Sequence, residues 1–313
     1  DALPIQDGKD VSYASQAPNV MHACGHDAHT AIALGVATLL AEEELPGTVR
    51  ILFQPAEEVA DEEGLSGAPR MVEDGAMEGV DAVLALHVDS SIAVGDVVMG
   101  AGPASAGVDS FYVTISGKGG HGSAPHTVVD PVYITGHVIL ALHGIVSRRL
   151  NPAHPAVISV GSVHGGHADN VIPEQVTLSG TIRFMEPEVQ QQIHAEIERA
   201  LGVARALGGD YALDIKIGCP PMLNDAAVNE LFREVAADLL GADHVLDPEL
   251  RMGAEDFGSF SSIAPGVMFY LGCRIEGDER QHHNRRFDIN EGCLSIGAAI
   301  LAETALRYLN GGN

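Results

Sequence analysis

The stretch Val108-Asp109-Ser110-Phe111-Tyr112-Val113-Thr114-Ile115-Ser116 puts Phe111, Val113 and Ile115 on one side of a two-residue period and Ser110, Tyr112 and Thr114 on the other, the pattern of a strand with one buried face. The elements after it decide the fold. Residues 130–150 have helical periodicity with Pro131 in the first turn, and residues 156–163 and 175–184 read as strands. Residues 186–207 read as a second helix and residues 211–217 as a strand of strict alternation. The order β-α-β-β-α-β is that of a split βαβ sandwich.

Towards the amino terminus, residues 27–43 read as a helix with Asp27 as N-cap, residues 49–53 as a short β-rich run, and residues 66–74 as a helix ending at Gly75. Residues 82–87 are continuously apolar, which suits a strand buried on both faces of a mostly parallel sheet. Small residues and Pro between Gly100 and Gly107 mark a hinge. From Asn224 the helix and strand signals return, with residues 266–271 a strand and 291–309 a closing helix. The expected architecture is an α/β domain built from residues 1–106 and 220–313, interrupted by an inserted α+β domain at residues 107–219.

Composition narrows the function. The 313 residues include 43 Asp and Glu against 17 Lys and Arg, a formal charge of −26, with 46 % hydrophobic residues. Such acidity argues against nucleic acid, which is bound through clustered Lys and Arg, and against anionic membrane surfaces. The longest apolar stretches, such as residues 31–41, fall short of the roughly 20 residues a membrane span needs or carry polar breaks. Cys24, Cys219, Cys273 and Cys293 are scattered, so no disulfide framework is expected, and a reducing, cytoplasmic setting fits.

Four places concentrate metal-type ligands: Cys24-Gly25-His26, Glu57-Glu58, His87 and His282-His283. Each falls just after a strand or at a helix start, and in an open α/β sheet the ligand site lies at the carboxyl ends of the strands. Each alone has an ordinary explanation, such as a solvated acidic turn or a core histidine. Together, a thiolate, imidazoles and a carboxylate form a mixed set suited to Zn²⁺ or a similar transition metal rather than to Ca²⁺ or Mg²⁺.

The chain resembles the metal-dependent N-acyl-amino-acid amidohydrolases, related to hippurate hydrolases, auxin-conjugate hydrolases, aminoacylases and glutamate carboxypeptidase. The matching stretches are Asp1-Ala2-Leu3-Pro4, Met21-His22-Ala23-Cys24-Gly25-His26-Asp27-Ala28-His29, Gln54-Pro55-Ala56-Glu57-Glu58, Leu86-His87-Val88, Gly117-Lys118-Gly119-Gly120-His121, Asn170-Val171-Ile172-Pro173, Gly253-Ala254-Glu255-Asp256-Phe257 and His283 through Phe287. They occur in the family's order over essentially the whole chain. The resemblance implies a zinc-peptidase-like catalytic domain with an inserted lid and dimerisation domain, and two divalent ions per subunit: Zn or Mn first, Co or Ni as alternatives. The ligands it implies are Cys24, His26, Glu58, His87 and His283. His283 is preferred to His282 because the family's histidine stands four places before a Phe, here Phe287.

By the same resemblance Glu57 is the general base and Asp1 supports a ligand histidine, as outer-shell carboxylates do. The family has further strand and helix units before the position of Asp1, so a fragment, or a sheet lacking part of its strands, is expected. In the inserted domain, Gly117 to Gly122 also satisfies G-x-G-x-x-G after a strand. A dinucleotide site would need a helix to open at these glycines, and Ser123-Ala124-Pro125 stands there instead. The resemblance gives His121 an oxyanion-stabilising role in a partner subunit's site, Asn170 a contact with the reacting carbonyl, and Arg183 a contact with the substrate carboxylate. A guanidinium suits that two-point contact.

The expected activity is hydrolysis of the amide bond of N-acyl-L-amino acids by a metal-activated water, in a homodimer. The alternatives are a dipeptidase or carboxypeptidase with the same metals, and an inactive metal-binding fragment. Glu255 belongs to a family motif but has no derived role.

Overall fold

The computed structural model describes residues 1–278 and 280–311. Two compact units form: Asp1–Ala104 with Leu223–Leu250 and Asp256–Asn313, and Ser105–Met222 with Arg251–Glu255.

The first unit is built on a four-stranded sheet in the spatial order Val83–Asp89, Gly266–Gly272, Val97–Val98, Val245–Leu246. Val83–Asp89 runs parallel to Gly266–Gly272, pairing Val83 with Gly266 through Asp89 with Gly272. Gly266–Gly272 is almost wholly buried, as its unbroken apolar sequence requires. The expected mostly parallel sheet is mixed among the described residues: Val97–Val98 is antiparallel to Gly266–Gly272 and parallel to Val245–Leu246. Residues 90–96 are too few for the crossover of a dozen or more residues that a parallel return needs, so the chain reverses.

Helices His26–Leu40, Ala226–Leu240 and Gly292–Leu309 pack on this sheet. Ile32 and Val36, Phe232 and Val235, and Ile300 and Ala302 join Val267, Phe269 and Leu271 in one core, where the Phe232 and Phe269 rings stand 5.3 Å apart. Gly292–Leu309 is long and apolar enough to span a membrane by length and composition, but it places Cys293, Ala298, Ile300 and Ala305 in this core. Residues 49–53, expected as a strand, make no ladder. Val49 and Ile51 pack against the core while Phe53 is exposed, so their alternation records packing rather than pairing.

The helix expected to be capped by Asp27 begins one residue earlier, at His26. Its N-cap is Gly25 at φ +88°, where a Cβ would stand 2.4 Å from Val88 Cγ2. Only glycine combines that backbone with that approach. Asp27 instead sits in the first turn, where a carboxylate favours the positive helix end.

The second unit is an antiparallel sheet in the order Ala156–Gly165, Gln175–Phe184, Gly107–Ser116, Asp210–Ile217. Helices Pro131–Arg148 and Pro187–Ala206 supply Ile134, Val138, Leu142, Ile193, Ile197 and Leu201 to a core with Phe111, Val113 and Ile115. Asp130 caps the first of these helices, accepting from Val132 N at 2.8 Å, and Pro131 comes next at N1, where its missing N–H costs nothing. Chain order is thus β-α-β-β-α-β.

Gly25→Ala is expected to lower stability by about 2–4 kcal/mol, combining a left-handed backbone with overpacking against Val88. The midpoint of a denaturant titration should fall at unchanged slope; an unaltered midpoint would show that the Val88 contact relaxes freely.

Candidate metal centre

His87 lies in the strand Val83–Asp89, Cys24 and His26 flank the left-handed Gly25 at the helix start, and Glu57, Glu58 and His283 come from loops. The loops are held by main-chain bonds. His283 is at φ +57° and its N–H donates to Ala23 O at 2.8 Å; Ala56, at φ +50°, accepts from Gly67 N at 3.0 Å. Phe287 packs with Met21 and Ala23, joining the His283 loop to the Cys24 segment.

Ligand atoms from Cys24, His26 and His87 all lie within 4.8 Å of one another; the same holds for Cys24, Glu58 and His283, and for His26, Glu57 and Glu58. Cys24 Sγ is 3.6 Å from His87 Nε2, whose ring donates from Nδ1 to Val88 O at 2.8 Å. Asp1 Oδ1 meets His26 Nδ1 at 2.6 Å while Asp1 Oδ2 accepts from Glu58 N at 3.0 Å. One carboxylate therefore turns His26 and fixes the backbone of Glu58. With Nδ1 of each ring committed, Nε2 of His26 and of His87 carries the lone pair.

Burial holds these rings neutral. It lowers the pKa of His26 and of His29, and takes His87 down to about 4, although the Val88 carbonyl opposes that shift. Neutral imidazole is the form that binds metal. The two glutamates part company. Glu57 is pushed up to about 7 by burial first, then by the Glu58 and Asp256 carboxylates, and its Oε2 stands 3.9 Å from His26 Nε2. Glu58 Oε1 is buried and makes no hydrogen bond, although His283 Nε2 approaches to 2.9 Å. An acceptor and an imidazole nitrogen facing each other without bonding fit two ligands aimed at a shared cation. The donor set suits a divalent transition metal.

His282 is in none of these three groups although its ring centroid lies 5.6 Å from that of His87; its Nε2 accepts from Ser90 N at 3.2 Å and its ring packs 4.7 Å from Phe287. His29 has no task legible in the sequence. It is half-buried, its Nε2 accepts the Val88 N–H at 3.0 Å, and its ring lies edge-on to His87 at 4.6 Å. Its position one helical turn after Gly25 was the available signal.

In the second unit, Gly120–His121 pairs with Val171–Ile172, and Gly122 N donates to Asn170 O at 2.8 Å, so His121 and Asn170 are neighbours. His121 Nδ1 accepts from Ser123 N at 3.0 Å, leaving its Nε2 as donor. Arg183 is on Gln175–Phe184, with one contact to Met252 O at 3.4 Å. No helix opens at the Gly117 to Gly122 loop; the next α-helix is Pro131–Arg148.

Residues 1–307 match the peptidase family M20/M25/M40. The chain is 40 % identical to an N-acetyl-L-cysteine deacetylase of Bacillus subtilis, over 99 % of its own length and 73 % of the relative's. It is 38 % identical to thermostable carboxypeptidase 2 of Saccharolobus solfataricus, over 99 % and 79 %. A solved Bacillus subtilis protein described as a dinuclear metal binding peptidase of the M20 family superposes with a TM-score of 0.84 at 32 % identity, covering 99 % of this chain and 79 % of that one. The chain belongs to the peptidase family M20/M25/M40 and is a metallo-amidohydrolase.

Proposed function

We propose that the chain hydrolyses the amide bond of N-acyl-L-amino acids, with Cys24, His26, Glu58, His87 and His283 holding two divalent ions and Glu57 acting as general base. The observation that carries this reading is the split between adjacent carboxylates: Glu58 aims a hydrogen-bond-free oxygen at His283, whereas Glu57 is driven towards a pKa of about 7. Bound divalent metal supplies Lewis-acid polarisation of the carbonyl and acidifies water. Glu57 takes a proton from the attacking water and returns it to the leaving amine nitrogen, work for which a pKa near neutrality is suited. Asp1 keeps His26 in the right tautomer.

Substrate recognition falls to the second unit: Asn170 for the reacting carbonyl, Arg183 for the free carboxylate, and His121, as an Nε2 donor, for the developing oxyanion of a partner subunit's site. This reading makes the enzyme a homodimer with the second unit as lid and dimerisation domain. Four cysteines without a disulfide fit a cytoplasmic setting. The names of the Saccharolobus relatives favour a carboxypeptidase as the second reading. N-acyl-amino acids and dipeptides assayed side by side on metal-loaded protein separate the two.

Glu57→Gln is expected to lower kcat by about 100-fold or more with two metal equivalents retained, since an amide cannot carry the proton; Glu58→Gln is expected to lose metal. Elemental analysis beside kinetics checks both, and equal metal loss in the two variants would refute the division of labour. Arg183→Ala should raise KM far more for free acids than for their esters, and equal losses would make its role structural. Mixing Glu57→Gln with His121→Ala subunits should restore part of the wild-type rate through a site holding both intact residues. A mixed dimer that forms and stays inactive would place His121 in its own subunit's chemistry or outside it.

A further inference from the structure

The glutamates sit on a loop whose two ends nearly touch. Gly67 N donates to Ala56 O at 3.0 Å, and a Cβ on Gly67 would overlap Pro55 O at 1.6 Å, so the neck admits only glycine there. Across this neck lies Asp256, 1 % exposed and some two hundred positions away in sequence. Its Oδ1 accepts from Gln54 Nε2 at 2.6 Å; its Oδ2 accepts from Ser66 Oγ at 2.6 Å and from Ala68 N at 3.0 Å. One carboxylate thus binds the chain just before Glu57 and Glu58 and just after the loop closes.

Three donors converge on two oxygens, and a group that only accepts satisfies them all; an ionised carboxylate is that group. Asparagine, isosteric with it, would turn an NH₂ either against the Gln54 amide or against the Ser66 and Ala68 donors. Something must hold this neck. Glu57 and Glu58 repel each other, and beyond the Asp1 bond to Glu58 N the tip of the loop is tied by exposed contacts, among them Asp61 Oδ1 with the Glu63 and Leu65 N–H groups and Arg70 with Asp61.

We propose that Asp256 is a positioning residue, an acceptor-only clamp that closes the neck of the Glu57 and Glu58 loop and so sets the aim of both carboxylates. This inference rests on the reading of Glu57 as base and Glu58 as ligand. Outer-shell groups of this kind change metal affinity or turnover by about 10–100-fold when removed.

The test uses the reversal of a hydrogen bond. Asp256→Asn is expected to weaken Co²⁺ binding, read from its visible absorption during titration of metal-stripped protein, by about 10–100-fold, and to lower kcat while KM stays within about twofold. Combining it with Gln54→Glu restores every partner: the new amide donates to the new carboxylate and still accepts from Ser66 and Ala68, and the net charge matches the wild type. The double variant should recover most of the Co²⁺ affinity and of kcat. A purely structural Asp256 would lower the melting temperature of the single variant while leaving Co²⁺ affinity and kcat per folded molecule unchanged. That result, or a double variant as weak as the single one, overturns the proposal. If Asp256→Asn does not fold, Ser66→Ala removes one donor's bond and should weaken Co²⁺ several-fold; unchanged affinity there also overturns it. A wild type that binds Co²⁺ and hydrolyses no acyl-amino acid would refute the proposed substrate class, and the Co²⁺ titrations would still decide the clamp.

Discussion

Val88 is where strand, helix and ligand meet, and the centre depends on how its groups are shared. Among the described residues Val83–Asp89 lies at the edge of its sheet, so the outward N–H and C=O of Val88 have no strand to pair with. His29 Nε2 takes the N–H, His87 Nδ1 takes the C=O, and the side chain stops on Gly25. Unpaired edge groups usually find water or another chain. Here they fix two imidazoles, and the Gly25 contact brings the start of the next helix against the same point. Cys24 and His87 therefore converge because two imidazoles take the Val88 main-chain groups and a left-handed glycine permits the approach.

The electrostatics of the centre oppose it as much as they organise it. Burial disfavours the charged forms of His26, His29 and His87, so these three rings set no charge against Glu57, Glu58 and Asp256. Glu58 Oε1 is buried and makes no hydrogen bond, with His283 Nε2 facing it at 2.9 Å. In a chain of formal charge −26, added carboxylates find no relief from the protein's field. A divalent cation held there would remove the repulsion and the orphan acceptor together, and so would couple metal binding to the order of these loops.

Much of this was legible in sequence because it is local. The strands at residues 108–116, 175–184 and 266–271 and the helices opened by Pro131 and Pro187 are set by period and caps, and the structure places them within a residue or two. The candidate ligands stand out in sequence for the same reason, since Cys, His and Glu at strand ends and helix starts are an unusual conjunction. Residues 49–53 misled because apolar alternation reports burial of Val49 and Ile51, and a strand also needs a neighbour, which no local pattern specifies. Asp27 misled because the left-handed Gly25 already begins the helix. Asp256 and His29 lie in stretches that match the family, but their tasks are not legible there and appear only when Gln54, Ser66 and Val88 are brought to them.

The division between scaffold and loop explains where strain is stored. Cys24, His26 and His87 rest on a helix start and a strand, while Glu57, Glu58 and His283 sit on loops containing two non-glycine residues at positive φ, Ala56 and His283. Such backbones cost of order 1–3 kcal/mol each and persist only where the surroundings over-determine them. Both are tied: Ala56 through its carbonyl to Gly67, His283 through its N–H to Ala23. Adjacent side chains on an extended strand would point to opposite faces, and on a helix they would lie about 100° apart, so neither regular element could direct Glu57 and Glu58 into one cluster with distinct aims. A turn entered through a left-handed residue can. The strain at Ala56 is therefore tied to the chemistry: it lets neighbouring carboxylates share a centre while one faces His283 and the other faces His26.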